Sequence, residues 1–305
     1  MKDVIVLGGT GFIGRALARR LQTQARSVSA VGSGDFDLTD AASTQTWFRK
    51  QVESGLDLSH VFHLAAVYKA GGWPAAHPGT QFHTNMALNL NALAAWKQFA
   101  PRSRFTSVVS YCMYPDHDRP HPESELYGTE PESYLFAYAF TKKALLVGQR
   151  AYVQEFGLSA VSAVLPTVYG PGDSFLENSH VMGALIGKFS RAVRENLPEV
   201  EVWGDGSQER EFLFVEDAVE GILQVAAQAK SDVLNLGCGR GYSIAELAER
   251  IAAVTGFQGK ICYNPDRFVG ARRRLLDVGL VEKEIAWRAA VALEDGIQAT
   301  VKAMQ

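Results

Sequence analysis

The sequence predicts an α/β fold: a doubly wound parallel sheet with a second, smaller α/β unit beside it. Three observations carry that prediction. Apolar runs of strand length alternate with longer segments of helical period through the first 165 residues. A glycine-rich turn joins the first such strand to the first helix. Beyond residue 165 the alternation breaks at a cluster of prolines and glycines.

Taken in order, residues 4–7 are continuously apolar, the pattern of a strand buried on both faces. Residues 12–21 follow with Ile13, Leu17, Ala18 and Leu21 at helical spacing. Residues 28–31 read as a second strand, followed by a polar loop and a helix over 41–52. A third strand at 61–64 precedes a long loop and a helix over 85–99. Strand 105–109, helix 134–156 and strand 160–165 continue the pattern. Right-handed crossovers then place ligands outside the carboxyl ends of the strands.

Pro166, Gly170, Pro171 and Gly172 mark a loop leaving the sheet. Helix 181–193 and strand 200–203 read as parts of the smaller unit, whereas 212–227 and a short strand at 233–236 return to the larger one. The expected division is 1–165 plus 212–240 for the larger unit and 166–211 plus 241–305 for the smaller. No internal repeat or flexible linker separates them, so the two units interleave.

The chain of 305 residues is 47% hydrophobic and 21% charged, which excludes collagen-like, disordered and coiled-coil classes. Thirty Lys and Arg against 33 Asp and Glu leave a net charge of −3. That balance argues against nucleic acid or a membrane surface as a partner, while leaving room for a local phosphate site. The three cysteines, Cys112, Cys238 and Cys262, are odd in number and lack zinc-site spacing. A reducing cytoplasm is the expected setting, with no resident metal. No apolar run reaches the roughly 18 residues of a membrane span. The N-terminal run ends at Gly8 and Gly9, too early for the core of a signal peptide.

Gly8, Gly11 and Gly14 stand at three-residue intervals between the first strand and helix, with Thr10, Phe12 and Ile13 among them. Gly8 permits the tight turn, Gly11 lets backbone approach a pyrophosphate, and Gly14 lets the helix pack close to the strand. Free N–H groups at the helix start would meet the phosphates. This is the pattern of a dinucleotide-binding Rossmann unit. An acidic residue ending the second strand would favour NAD and a basic one NADP, but Gly32, Ser33 and Gly34 stand there. Ser33 could accept a 2′-phosphate with Arg15 nearby, while Asp35 and Asp37 read as caps of the following loop.

Tyr138 and Lys142, four apart on a predicted helix, share one face. Beside a nicotinamide, the lysine ammonium would lower the tyrosine pKa and make it a proton donor. Ser110, ending the preceding strand, could hydrogen-bond the same carbonyl oxygen. Taken alone, the pair could equally be a surface Tyr and Lys; the glycine loop and Ser110 favour the catalytic reading.

With these motifs in place, the chain resembles the extended short-chain dehydrogenase/reductase family over nearly its whole length. The segment from Val61 through Leu64, Ala65 and Ala66 matches that family's cofactor-lining strand. Dehydratases of this superfamily carry an Asp-Glu pair where this chain has Tyr111 and Cys112, which argues against dehydration. Ser110 and Cys112 followed by Tyr114 and Pro115 resemble instead the GDP-L-fucose synthase family of 4-keto-sugar 3,5-epimerases and 4-reductases. Further matches are Gly71-Gly72 with Asn85-Met86, Glu123 to Leu126, and Asn178-Ser179-His180-Val181. Val202 to Gly206 with Arg210-Glu211-Phe212, and Arg273 to Asp277, complete the set.

The resemblance implies Ser110, Cys112, Tyr138, Lys142 and His180 as catalytic residues. It implies Pro166 and His180 beside the cofactor, which it makes NADP(H) ahead of NAD(H). Lys188, Trp203, Arg210 and Arg274 would hold a nucleotide-diphosphate sugar, a GDP-sugar first, in the smaller unit. The chemistry suits these residue types. A 4-keto group acidifies the hydrogens on C3 and C5, and inversion takes a proton from one face and returns one to the other. Cys112 is the expected base and His180 the acid, with Tyr138 and Ser110 stabilising the enolate oxygen. Cys238 and Cys262 are read as structural, and His60, His77, His83, His117 and His121 receive no catalytic role. Without the resemblance, Trp203 is equally a core residue and the arginines solvated charges.

The expected function is therefore an NADP(H)-dependent epimerase/reductase of a GDP-4-keto-6-deoxy sugar. The alternatives are the same chemistry on a colitose-type dideoxy sugar, 4-reduction alone, or a non-catalytic dinucleotide-sensing regulator. Tyr138 and Lys142 weigh against the regulator, which needs no proton donor. The chain departs from the family where Val168 replaces an asparagine and Lys188 an arginine. A homodimer through helices 85–99 and 134–156 is expected by the same resemblance.

Overall fold

Strand β1 (Asp3–Leu7) is buried at every residue, and its side chains divide between two apolar cores. Val4 and Val6 enter one, Ile5 and Leu7 the other. A strand covered on both faces needs such a continuous apolar run. The computed structural model describes residues 2–304 apart from 26, 70, 71, 132, 178, 268 and 269. Gly71 and Asn178, quoted above within two motifs, lie outside the described residues.

From β1 the chain runs through α1 (Phe12–Leu21), β2 (Ser27–Val31), α2 (Ala41–Glu53), β3 (Leu58–His63), α3 (Trp73–Ala76) and α4 (Pro78–Phe99). It continues through β4 (Arg104–Ser110), α5 (Phe136–Phe156), β5 (Ser159–Leu165), β6 (Thr167–Tyr169), α6 (Val181–Glu195) and β7 (Glu199–Trp203). Then come β8 (Glu209–Phe214), α7 (Val215–Gln228), β9 (Val233–Asn235), β10 (Gly241–Ser243), α8 (Ile244–Thr255) and β11 (Lys260–Asn264). The last elements are β12 (Arg273–Arg274), α9 (Gly279–Ile285) and α10 (Leu293–Lys302).

Six parallel strands in the order β2-β1-β3-β4-β5-β9 form the main sheet. Leu17 and Leu21 of α1, Ile222 of α7 and Ile285 of α9 pack on one face. Phe48 of α2, Trp96 of α4 and Leu145 of α5 pack on the other. The doubly wound parallel sheet is therefore present as the alternation predicts.

The later strands make two smaller sheets. β8 joins β10, β12 and β6, and β7 pairs in parallel with β11. A third core, with Phe189 of α6, Ile251 of α8 and Ile297 of α10, covers them. Segment 212–227 splits at its start: Phe212 and Phe214 of β8 belong to this third core, whereas Leu213 and Val215 reach the first. Strand alternation thus makes β8 the seam between the layers.

Two helices begin away from their expected starts. α4 starts seven residues early, because Pro78 supplies a φ suited to the first helical turn. α5 starts two residues late, after a 3₁₀ turn over Ser133–Leu135. Among the described residues, no helix is long and apolar enough to cross a membrane.

Candidate active site

The sheet order reverses between β1 and β3, and the glycine loop lies at the carboxyl ends there. The Gly8 and Gly9 amides donate to Val31 O at 2.9 and 2.8 Å, tying the loop to β2. Gly8 has φ +82°, and a Cβ on it would lie 2.6 Å from Ala65 N. Gly14 is buried so tightly that a Cβ would strike Gly8 O. Gly11 differs: a Cβ there would meet only Gly8 O, at 3.3 Å, leaving its outer side open. It starts α1 without a side-chain cap and with no acidic residue in the first turn. A backbone cradle with uncapped amides suits a dinucleotide pyrophosphate.

Thr10 is exposed at the rim of this loop, and Phe12 and Ile13 line the adjoining cavity. Ser33 is also exposed. Arg15 donates to Thr10 O at 2.6 Å and Gly172 O at 3.1 Å. It staples the glycine loop to the loop after β6. Asp35 and Asp37 act as turn caps, accepting from Gly32 N and Thr39 N, each at 2.8 Å. Leu64 and Ala65 are half-buried and Ala66 is exposed, all just past β3.

A cavity of about 440 Å³, in the usual range for ligand sites, opens beside this loop. Ser110, Cys112, Tyr138 and His180 line it, as do Pro166, Lys188, Trp203, Arg210 and Arg274. The chain thus gathers into one chamber residues drawn from both sequence-predicted units. Lys142 lies behind the wall, 4% exposed, and donates to Val108 O at 3.0 Å. Burial lowers its pKa to about 8.

One expectation needs correction here. Lys142 does not dominate the Tyr138 phenol: its ammonium lies 5.7 Å from the ring centre. Burial holds the Tyr138 pKa well above the ordinary value, and Cys112 and Tyr68 push the same way. A low-dielectric wall disfavours phenolate more than this cation stabilises it. Burial therefore favours the neutral phenol at Tyr138.

Cys112 is buried in a 3₁₀ turn over Tyr111–Met113. Its N–H faces Ser110 Oγ at 3.4 Å. Burial raises the thiol pKa, while Ser110, Arg274 and Lys142 oppose the rise. His180 stands at the start of α6, is exposed, and lines the cavity. The surrounding walls lower its pKa by desolvation, leaving a neutral imidazole.

Sequence reasoning missed Tyr68. Its ring lies parallel to His180, 5.2 Å between centres, and leans on Tyr138 at 4.9 Å. Nothing in its local pattern distinguishes it from an ordinary loop residue. Tyr134 also lines the cavity, and its place one turn before Tyr138 could have suggested as much. Asn85 was quoted only within a motif. Its side chain pins the Val67 backbone through bonds of 2.8 and 2.9 Å, fixing the loop that carries Tyr68.

The basic segment behaves unevenly. Arg274 is buried and lines the cavity. Arg273 is drawn to Glu209 at 2.8 Å and Arg272 to Asp118 at 3.3 Å, so neither joins it. Alternation along β12 turns consecutive side chains to opposite faces. Arg210 lines the cavity while donating to the carbonyls of Glu209 and Ala271. Glu211 faces away, accepting from Gly239 and Leu276 amides.

Trp203 has two cations near its ring, with Lys188 Nζ 5.2 Å and the Arg267 guanidinium 5.4 Å from the ring centre. Its indole Nε1 and the Gln208 Oε1 are buried without hydrogen-bond partners among the described residues. Unsatisfied polar atoms on a cavity wall invite a ligand that can pair with them.

A model of the NAD dependent epimerase/dehydratase family matches residues 4–237. GDP-L-fucose synthase 1 of Arabidopsis thaliana is 32% identical, covering 97% of this chain and 91% of its own. GDP-L-colitose synthase of Yersinia pseudotuberculosis is 28% identical, covering 97% of this chain and 96% of its own. Among solved structures, a GDP-L-fucose synthetase from Naegleria fowleri bound to NADP aligns with a TM-score of 0.88 and 25% identity, over 99% of this chain and 94% of that one.

Proposed function

The chain belongs to the NAD dependent epimerase/dehydratase family, and from that premise we propose an NADP(H)-dependent epimerase/reductase of a GDP-4-keto-6-deoxy sugar. The observation that carries this reading is the shared cavity, lined both by Ser110, Cys112, Tyr138 and His180 and by Lys188, Trp203, Arg210 and Arg274. Similarity to GDP-L-fucose synthases, one of them solved with NADP, supports both the sugar nucleotide and the cofactor.

Each residue has a task in this reading. Gly8, Gly11 and Gly14 form the backbone cradle, and Thr10, Phe12, Ile13, Ser33, Leu64, Ala65, Ala66 and Pro166 border the dinucleotide. A nicotinamide dinucleotide bound there would supply the hydride for C4. Cys112, as thiolate, removes a proton from the carbon beside the keto group, and Arg274 and Lys142 favour that thiolate. His180, having taken up a proton, returns one from the opposite face, completing the inversion. Ser110 and Tyr138 hydrogen-bond the enolate oxygen while charge resides there. Tyr138 then gives its proton to the C4 oxygen as the carbonyl is reduced, with Lys142 behind it. Lys188 and Arg274 meet the diphosphate, and Trp203 stacks on the base.

Residues 1–165 with 212–240 make the cofactor unit in this proposal, and 166–211 with 241–305 the substrate unit. A homodimer is supported by the exposed Leu90 on α4 and Phe136, Phe140 and Val147 on α5. Three unpaired cysteines are consistent with a reducing compartment, the cytoplasm.

Incubation with the 4-keto sugar in heavy water tests the reading. Deuterium should appear at both C3 and C5, and NADPH should be consumed faster than NADH. Label at neither carbon, with reduction intact, would leave a 4-reductase only. The similarity to a GDP-L-colitose synthase favours a dideoxy 4-keto sugar as the second substrate to try.

A further inference from the structure

We propose that His117, His121 and Glu125 bind one divalent transition ion of the zinc class. The three lie on the loop between β4 and α5, outside the cavity lining, so the inference stands apart from the proposed reaction. One ligand atom from each comes within 4.8 Å of the other two.

The distances suit metal corners as well as hydrogen bonds. His117 Nε2 lies 2.9 Å and His121 Nδ1 3.3 Å from the same oxygen, Glu125 Oε2. Tetrahedral zinc with bonds of about 2.0 Å needs ligand-to-ligand edges of about 3.3 Å. Two imidazoles and one carboxylate form the donor set of an open site, with water completing the fourth corner. His117 and Glu125 are partly exposed, so an ion can enter; His121 is buried and supplies the fixed corner.

The surroundings orient the ligands. Arg119 Nη2 donates to Glu125 Oε1 at 2.9 Å, leaving Oε2 to face the two rings. Tyr114 stacks on His121 with ring centres 4.9 Å apart. Both rings donate to Glu125 as they stand, and their outward nitrogens, His117 Nδ1 and His121 Nε2, have no hydrogen-bond partner among the described residues. Turning the lone pairs inward therefore gives up only the two donations to Glu125, which the ion replaces with its own bonds to all three groups.

An ion here would act as a clamp. The His121 amide donates to Leu275 O, and the Asp277 amide donates to His121 O, both at 3.0 Å. The same loop begins at the turn bearing Cys112 and is thereby tied to the segment bearing Arg274.

The test uses the full chain, stripped with a chelator and titrated with Co²⁺ and then Zn²⁺. One Co²⁺ per chain should bind with the visible absorption of a four-coordinate site, and Zn²⁺ should displace it and raise the Tm. His117→Ala and Glu125→Gln should each weaken binding on the order of 100-fold, while His77→Ala, at an exposed histidine elsewhere, should not. Absence of stoichiometric binding, or equal binding in all the variants, would overturn the proposal. In the unmutated chain, Zn²⁺ should also protect His117 from acylation by diethyl pyrocarbonate. Unchanged labelling of His117 in excess Zn²⁺ would overturn it too, whatever the folding of the variants.

Discussion

The rings of Tyr68 and His180 lie parallel within 3°, with centres 5.2 Å apart, at the start of α6. This stack holds the imidazole against the cavity wall, and Tyr138 braces Tyr68 from another side. A tyrosine from the loop after β3 thus orients a histidine more than a hundred residues away in sequence.

The first expected outcome concerns that stack. An aromatic pair contributes about 0.5–1.5 kcal/mol beyond area burial. Tyr68→Leu should therefore slow solvent deuterium incorporation by roughly 2- to 12-fold by that measure, while Tyr68→Phe keeps the stack and most of the rate. Equal rates in both variants would show that the stacking has no part in proton transfer.

Tyr138→Phe removes the proposed proton donor and should lower the reduction rate by about 10²-fold or more. Binding of the sugar nucleotide should be little changed, since Trp203, Lys188 and Arg274 are untouched. Stopped-flow reduction and equilibrium binding measured together would separate these effects.

Lys142, with its pKa lowered to about 8 by burial, holds its ammonium below that pH and loses it above. The kcat/KM profile should therefore fall on the alkaline side near 8. The Tyr138 phenol, raised well above its ordinary value, should not contribute to that limb. A flat profile up to pH 10 would separate Lys142 from the reaction.

Gly8→Ala forces a Cβ within 2.6 Å of Ala65 N at a φ of +82°. Strain of this kind costs about 1–3 kcal/mol. The expected result is a lower Tm together with loss of dinucleotide binding, followed by cofactor fluorescence. Gly34→Ala, which meets nothing within 4 Å, is the matched control.

His63 is fully buried, bonded through Nε2 to Asn89 Oδ1 at 3.0 Å, and burial lowers its pKa to about 4. Between the unfolded value and about 4, the unfolded chain binds more protons than the folded one. Stability from this residue is therefore complete above about pH 6.5 and is lost as pH falls toward 4. The stability gap between wild type and His63→Gln should shrink by up to about 3 kcal/mol from pH 7 to pH 4. Denaturant unfolding at both pH values checks it; taking the difference cancels Glu211 and Asp173, whose raised pKa values act in the opposite sense.

Legibility followed the range of the interactions. The glycine loop and the Tyr138–Lys142 pair were readable because turn geometry and helical spacing are local. The strands of the main sheet were readable because burial on both faces demands a continuous apolar run, as at β1. The seam at β8 was not, since Phe212 and Leu213 are equally apolar and only opposite packing partners separate them. The electrostatic sign at Tyr138 was also out of reach, because local spacing brings Lys142 near but cannot supply the depth of burial. His117 and His121 looked like ordinary loop histidines until Glu125 was found facing both.

By itself, then, the sequence determined the doubly wound layer, the dinucleotide cradle and the residue types of the candidate site. These rest on periodicity, turn chemistry and spacings within one element. The tertiary structure alone decided which arginine of residues 272–274 enters the cavity, that Arg15 binds Gly172, and that Tyr68 stacks on His180. Each depends on the packing of segments distant in sequence, where side-chain direction and dielectric follow from the neighbours that the fold supplies.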